Sequence, residues 1–326
     1  MRAWTIHRAG EPRDVLALED VDPPEAVPGM LHVRVRAASV GLPDVLMCRG
    51  SYPLTPTYPF TPGQELAGEV IGVGDGASGR SGERIMAVSG FYLQRGSFAE
   101  ECLAQADFAY PIPDEMSDEE AAAFLIPYHT AWFGLVRRGG LRRGETVLVL
   151  GAAGGTGSAA LQLARAMGAR VIATAGGEEK VAFCRSLGAD VVIDYRKDDI
   201  AAGVREATEG RGVDVAYDPV GGDAFRAASV SMAPEGRLLV IGFASGQWGK
   251  PSVAHLVTGN YSVVGVLPTL TEHGIRDQAQ AQLLEYWRAG ELRVPLHHTY
   301  SFPEVPDAVE ELASGRTRGK IAIRVE

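Results

Sequence analysis

Seven residues, Gly151-Ala152-Ala153-Gly154-Gly155-Thr156-Gly157, join the apolar run Thr146–Leu150 to a helical pattern with Ala160, Leu163 and Met167 on its apolar face. Glycine is needed where a side chain would hold the backbone away from a pyrophosphate, and the helix N-terminus adds free N–H donors and a positive dipole end. The chemistry of such a turn is anion recognition. A lone glycine string reads as no more than a tight turn, but here strand, turn and helix follow in the order a dinucleotide site requires. A phosphate-binding loop of the Gly-Lys-Ser/Thr kind does not fit, because that tripeptide is missing and Gly315-Arg316-Thr317-Arg318-Gly319-Lys320 has the wrong spacing.

A second group of residues bears on which dinucleotide. Where NAD is preferred, an Asp or Glu at the end of the second strand accepts the ribose hydroxyls and repels a 2′-phosphate. That strand ends here as Thr174-Ala175-Gly176-Gly177, without an acid. Lys180 lies one helical turn beyond, and Tyr195-Arg196 closes the following strand, so cationic and phenolic donors converge on a phosphate. The expected cofactor is NADPH, with Glu178 and Glu179 as the opposing charges.

These residues need a frame to hold them. From Pro127 the chain alternates short apolar runs with amphipathic helices: strands are predicted at Arg170–Thr174, Val191–Ile193, Val213–Tyr217 and Arg237–Ile241, and helices at Glu178–Leu187, Asp198–Thr208 and Asp223–Ser231. Such β-α-β alternation with Val- and Leu-rich strands predicts a parallel sheet covered on both faces, a doubly wound α/β fold. Residues 1–126 read instead as short strands and loops, with alternation at Leu31–Ala37 and prolines at Pro53, Pro56, Pro59 and Pro62. Residues 266–326 carry helices at Asp277–Ala289 and Pro303–Ser314 and a strand at Lys320–Val325. They are too few for their own core and are expected to return to the first domain, leaving 127–265 as the nucleotide domain.

Composition narrows the function classes. At 326 residues, 46% hydrophobic and 22% charged, the chain is long enough for two folded domains. With 31 basic against 41 acidic residues the net charge is −10, which opposes nucleic acid as a partner. No window approaches the roughly 20 apolar residues of a membrane span, and the charged start MRAWTIHRAG resembles no secretory leader. Cys48, Cys102 and Cys184 lie too far apart for a disulfide framework or a zinc ribbon, so a reducing, cytoplasmic setting is expected.

Four segments, Asp44–Pro53, Pro62–Val70, Ala152–Gly157 and Asp214–Gly222, carry a resemblance that runs nearly end to end. The chain resembles the zinc-independent NADPH:quinone oxidoreductases of the medium-chain dehydrogenase/reductase superfamily, the zeta-crystallin-like branch. The resemblance implies a GroES-like, mostly β catalytic domain split around a Rossmann domain, NADPH in the cleft between them, and commonly a homodimer. By the match of motifs it places Gly154, Gly155, Thr156 and Gly157 on the pyrophosphate, Gly176, Lys180 and Tyr195 at the 2′-phosphate, and Thr130 near the nicotinamide or its phosphate. Leu42, Pro43 and Asp44 would line the nicotinamide side, and Tyr52 looks like the family's tyrosine at the substrate cleft. Phe243 falls at the C-terminal edge of the sheet, and Arg316 matches, one residue offset, an arginine on the adenosine phosphate.

Two departures follow from the same resemblance. Zinc alcohol dehydrogenases have Gly-His-Glu where this chain has Gly63-Gln64-Glu65, and a catalytic cysteine where it has Val40-Gly41-Leu42, so no metal is expected. The His297-His298 pair would project to opposite faces of a strand and does not replace those ligands. Within the quinone reductase branch, Gly41 stands where asparagine is usual. Without metal or covalent nucleophile, the remaining chemistry is hydride transfer to an activated acceptor, a quinone or an enone, with Tyr52 hydrogen-bonding the acceptor oxygen. An enoyl reductase on an acyl or polyketide substrate and a non-catalytic NADPH-binding protein are the alternatives.

Overall fold

The computed structural model describes residues 1–268 and 273–325, which fall into two compact units, Met1–Ile126 with Leu296–Glu326, and Pro127–Pro295. Both follow from the hydrophobic pattern, read at period two in the first and as short Val- and Leu-rich runs in the second.

In the first unit, six strands form one sheet in the order Leu296–Ser301, Lys320–Arg324, Met30–Val40, Glu65–Val73, Arg84–Ser89 and Glu101–Pro111. Met30–Val40 also pairs with Glu101–Pro111, so the sheet curls back on itself. All pairs are antiparallel except that of the two C-terminal strands. A two-stranded ribbon, Arg2–Ile6 with Leu16–Asp20, is joined to Phe60 and Ala99 by isolated bridges. Leu31, Val33, Val70, Phe98, Val309 and Ile321 are among the residues of a buried hydrophobic core in this unit. This is the GroES-like unit.

In the second unit the six strands are all parallel, in the order Ser262–Gly265, Met232–Val240, Val213–Asp218, Thr146–Val149, Arg170–Ala175 and Val191–Asp194. Numbered along the chain that order is 6-5-4-1-2-3, the Rossmann arrangement, and the direction of winding reverses between Thr146–Val149 and Val213–Asp218. Ser262–Gly265 stands at one end of the sheet order. Among the described residues no helix is long and apolar enough to cross a membrane, and all three cysteines are free and buried.

One boundary lies later than the sequence suggests. The helix His273–Arg288 belongs with the parallel-sheet unit, and the return to the first unit begins at Leu296 rather than 266. Polar docking explains this: Gln280 Oε1 meets His129 Nε2 at 2.8 Å, Trp132 Nε1 donates to Gln282, and Ala279 and Leu283 are fully buried.

Candidate nucleotide and acceptor sites

In the parallel-sheet unit, three turns converge at the C-terminal ends of the strands. The first is the glycine turn. The helix Gly155–Ala166 starts behind Gly154, which offers no side chain as a cap, so the first-turn amides have no acceptor within the helix. Gly154, Gly155 and Thr156 are only half-buried and open to a ligand, whereas Gly157 is buried for packing: a Cβ there would stand 2.3 Å from the Gly151 carbonyl oxygen and 2.9 Å from Ala152 Cα. Thr174 fixes the turn from the neighbouring strand, its hydroxyl accepting from Gly151 N at 3.1 Å and its carbonyl from Ala152 N at 3.0 Å.

The second turn follows Val213–Asp218. Asp218 is fully buried; its Oδ1 accepts from Val220 N and Gly221 N, both at 2.8 Å, while burial pushes the carboxyl up and those two amides oppose the shift. Val220 lies over Gly151, 3.0 Å from where its Cβ would be, so the two turns touch at the reversal of winding. The third, Gly242–Gly249, packs on Gly221 and carries Phe243, whose ring lies 4.4 Å from that of Trp248. Trp248 is 51% exposed, and nothing in the one-dimensional pattern marks it as part of this edge.

At the end of the second strand the expected residues do come together. A Cβ on Gly176 would lie 2.5 Å from the Tyr195 hydroxyl, so the tyrosine ring covers that backbone while remaining 49% exposed. Arg196 approaches Gly177 from the same side, and Lys180 sits in the first turn of Glu178–Ser186. Of the two opposing acids, Glu178 is paired with Lys197 at 3.0 Å. Asp194, which sequence reasoning missed, accepts from Gly177 N at 2.9 Å and Arg196 N at 3.1 Å; the Gly177 amide above all holds its carboxyl below the usual range. An uncapped helix start flanked by phenolic and cationic donors, with Asp194 Oδ1 drawn onto backbone amides, fits a phosphorylated dinucleotide. Thr130 is half-buried on the helix Leu125–Trp132 of this unit.

In the GroES-like unit, the residues expected beside a reacting group surround a buried polar cluster. Leu42 and Pro43 open the helix Leu42–Cys48 and are half-buried. Asp44 does not present its carboxylate outward: it is 1% exposed, with Oδ2 accepting from Gly41 N at 2.7 Å and Oδ1 from Gly63 N at 3.0 Å. Burial pushes it up to about 7, against those amides and the Lys320 charge. Tyr52 packs on the core; burial raises its hydroxyl, the Gln64 side chain opposes that, and Asp44 adds to it. Arg316 is exposed, in the loop before the final strand.

A zinc ion does not fit this donor set. Glu65 is occupied by Lys320 Nζ at 2.7 Å, Ser39 Oγ at 3.0 Å and Ile126 N at 2.8 Å, and Gln64 is neutral. His297 meets Glu311 at 3.4 Å and His298 packs on Tyr300.

A GroES-like unit split around a Rossmann unit is the architecture of the medium-chain dehydrogenase/reductases. Family sequence models agree: that of the alcohol dehydrogenase GroES-like domain matches residues 27–114, and that of the zinc-binding dehydrogenase matches 155–278. The quinone oxidoreductase-like protein 2 homolog of Nematostella vectensis is 34% identical, over 100% of this chain and 89% of its own. The structure of Escherichia coli quinone oxidoreductase complexed with NADPH is 27% identical with a TM-score of 0.91, covering 99% of this chain and 100% of that one. A phenolphthiocerol/phthiocerol polyketide synthase polypeptide of Mycobacterium tuberculosis is 33% identical over 96% of this chain, which spans 14% of that protein. The chain belongs to the quinone oxidoreductase-like family of the medium-chain dehydrogenase/reductase superfamily.

Proposed function

We propose that the protein is an NADPH-dependent reductase that passes hydride to a quinone or a comparable activated acceptor without zinc. The observation that carries this reading is the end of the second strand, where Tyr195 covers Gly176, Lys180 and Arg196 flank it, and Asp194 turns its Oδ1 onto the Gly177 and Arg196 amides. NADPH in relatives of this fold supports it, as in the E. coli complex. Gly154, Gly155 and Thr156 would hold the pyrophosphate, with Gly157 packed behind them, Lys180 and Tyr195 would hold the 2′-phosphate, and Phe243 would border the cofactor on the edge of the sheet.

Bound NADPH supplies the hydride; the chain supplies position and a proton or hydrogen bond. On the acceptor side Tyr52 is the group for the oxygen that gains charge, and its raised pKa keeps it a neutral donor. Glu65 and Asp44 are engaged with backbone, serine and lysine, so neither serves as the acid. A second reading, an enoyl reductase on an acyl chain, is favoured by the likeness to a polyketide synthase segment.

Tyr52→Phe tests the assignment. Turnover with a quinone should fall about tenfold while NADPH affinity stays unchanged, and the loss should be larger with an enone, whose enolate concentrates charge on one oxygen. Steady-state kinetics with one acceptor of each kind decides it; full turnover on both would leave Tyr52 a packing residue.

A further inference from the structure

Asp218 ends the strand Val213–Asp218 and is completely buried, and among the described residues its Oδ2 meets no hydrogen-bond donor. Burying an acceptor without a partner costs free energy, so what this side chain contributes is concentrated in Oδ1. That atom accepts from Val220 N and Gly221 N, both at 2.8 Å, and bends the chain immediately past the strand. The carbonyls of the bend receive the next loop. Asp218 O accepts from Ile241 N at 2.9 Å, Pro219 O from Ala244 N at 3.0 Å and Val220 O from Ser245 N at 2.9 Å. Gly221 completes the seat, since at its φ of +72° a Cβ would stand 2.2 Å from the Gln247 carbonyl oxygen. On the opposite side, Val220 Cγ2 lies 3.0 Å from where a Cβ on Gly151 would be. The bend is thus wedged between the glycine turn and the loop that carries Phe243 and Trp248, at the reversal of winding where doubly wound sheets bind their ligands.

We propose that Asp218 is a positioning residue for the cofactor: acting as an acceptor rather than as a charge, it holds the Pro219–Gly221 bend that sets the Phe243 loop against the glycine turn. This rests on the reading of these strand ends as the NADPH site. Burial pushes the Asp218 carboxyl up, and the two amides oppose that. An uncharged oxygen in the same place therefore serves the bend as well, which separates this role from one that needs an anion.

The test combines NADPH titration with amide exchange in the protein without cofactor. In Asp218→Ala, the Kd for NADPH should rise about tenfold with kcat at saturating NADPH within about threefold. Exchange at the amides of Val220, Gly221, Ala244 and Ser245 should quicken at least about tenfold, while that of Leu163, inside the helix Gly155–Ala166, stays slow. Asp218→Asn keeps an oxygen for both amides and should bring affinity and exchange back to within about threefold of the wild type. If Asp218→Ala does not fold, Gly221→Ala leaves the carboxylate in place, drives a Cβ toward Gln247, and should show the same loss of affinity with fast exchange at Ala244 and Ser245. Wild-type affinity or unchanged exchange in the variant that folds, equal quickening at Leu163, or no recovery in Asp218→Asn would overturn the proposal. A wild type that binds no NADPH would instead overturn the cofactor reading, and exchange would still report on the bend.

Discussion

Gly157→Ala should weaken NADPH binding at least about a hundredfold, roughly 2.7 kcal/mol, and lower the thermal midpoint as well. The added Cβ would meet the Gly151 carbonyl oxygen at 2.3 Å and Ala152 Cα at 2.9 Å, and neither backbone atom can move away as a flexible side chain could. Relief requires the helix Gly155–Ala166 to shift off the strand Thr146–Val149, which takes the helix N-terminus out of register with the turn. Gly154→Ala is the contrast. Its Cβ would find only the Gly151 oxygen, at 3.5 Å, so stability should hold while affinity falls, because the methyl stands where a pyrophosphate would approach. Cofactor fluorescence titration and thermal melts of both variants separate the two roles; wild-type affinity in Gly157→Ala would refute the close-packing argument.

Acid should destabilise the Rossmann unit through one histidine. His129 is 3% exposed with its Nε2 2.8 Å from Gln280 Oε1, and burial lowers its pKa from 6.5 to about 4, partly opposed by Gln280. Between those values the unfolded chain binds a proton that the folded chain refuses, so this contribution is whole above 6.5 and is lost as pH falls toward 4. At about pH 5 the loss should reach about 2 kcal/mol relative to neutral pH. His129→Gln, which keeps a polar side chain near Gln280, should lose less stability on acidification by that amount in urea unfolding. An equal acid loss in both proteins would show that other groups set the dependence.

The start of the Rossmann unit was legible almost to the residue because its first strand is a Val- and Leu-rich run: Thr146–Leu150 is predicted and Thr146–Val149 found, and the helical pattern through Met167 becomes Gly155–Ala166, whereas the strand predicted at Arg237–Ile241 starts earlier, at Met232, across Pro234 and Gly236. The same pattern failed at residue 265. Amphipathicity shows that a helix docks, but not that Gln280 and Gln282 seek His129 and Trp132, over a hundred residues earlier. Asp44 shows the matching limit in the site, since its position beside Leu42 and Pro43 suggests a wall residue, and only the fold turns its carboxylate onto Gly41 and Gly63. Lys320 left one trace, a lysine opening a strand that continues Ile-Ala-Ile. Its meaning depends on Glu65, 255 positions away.

The most direct measurement is the steady-state oxidation of NADPH and of NADH by the same enzyme with one quinone as acceptor, in the wild type and in Lys180→Ala. The wild type should oxidise NADPH with a kcat/KM at least about tenfold higher, the roughly 1.4 kcal/mol that one charge-assisted phosphate contact supplies, and Lys180→Ala should shrink that ratio. Equal use of the two nucleotides, or no quinone-dependent oxidation of either, would contradict the assignment.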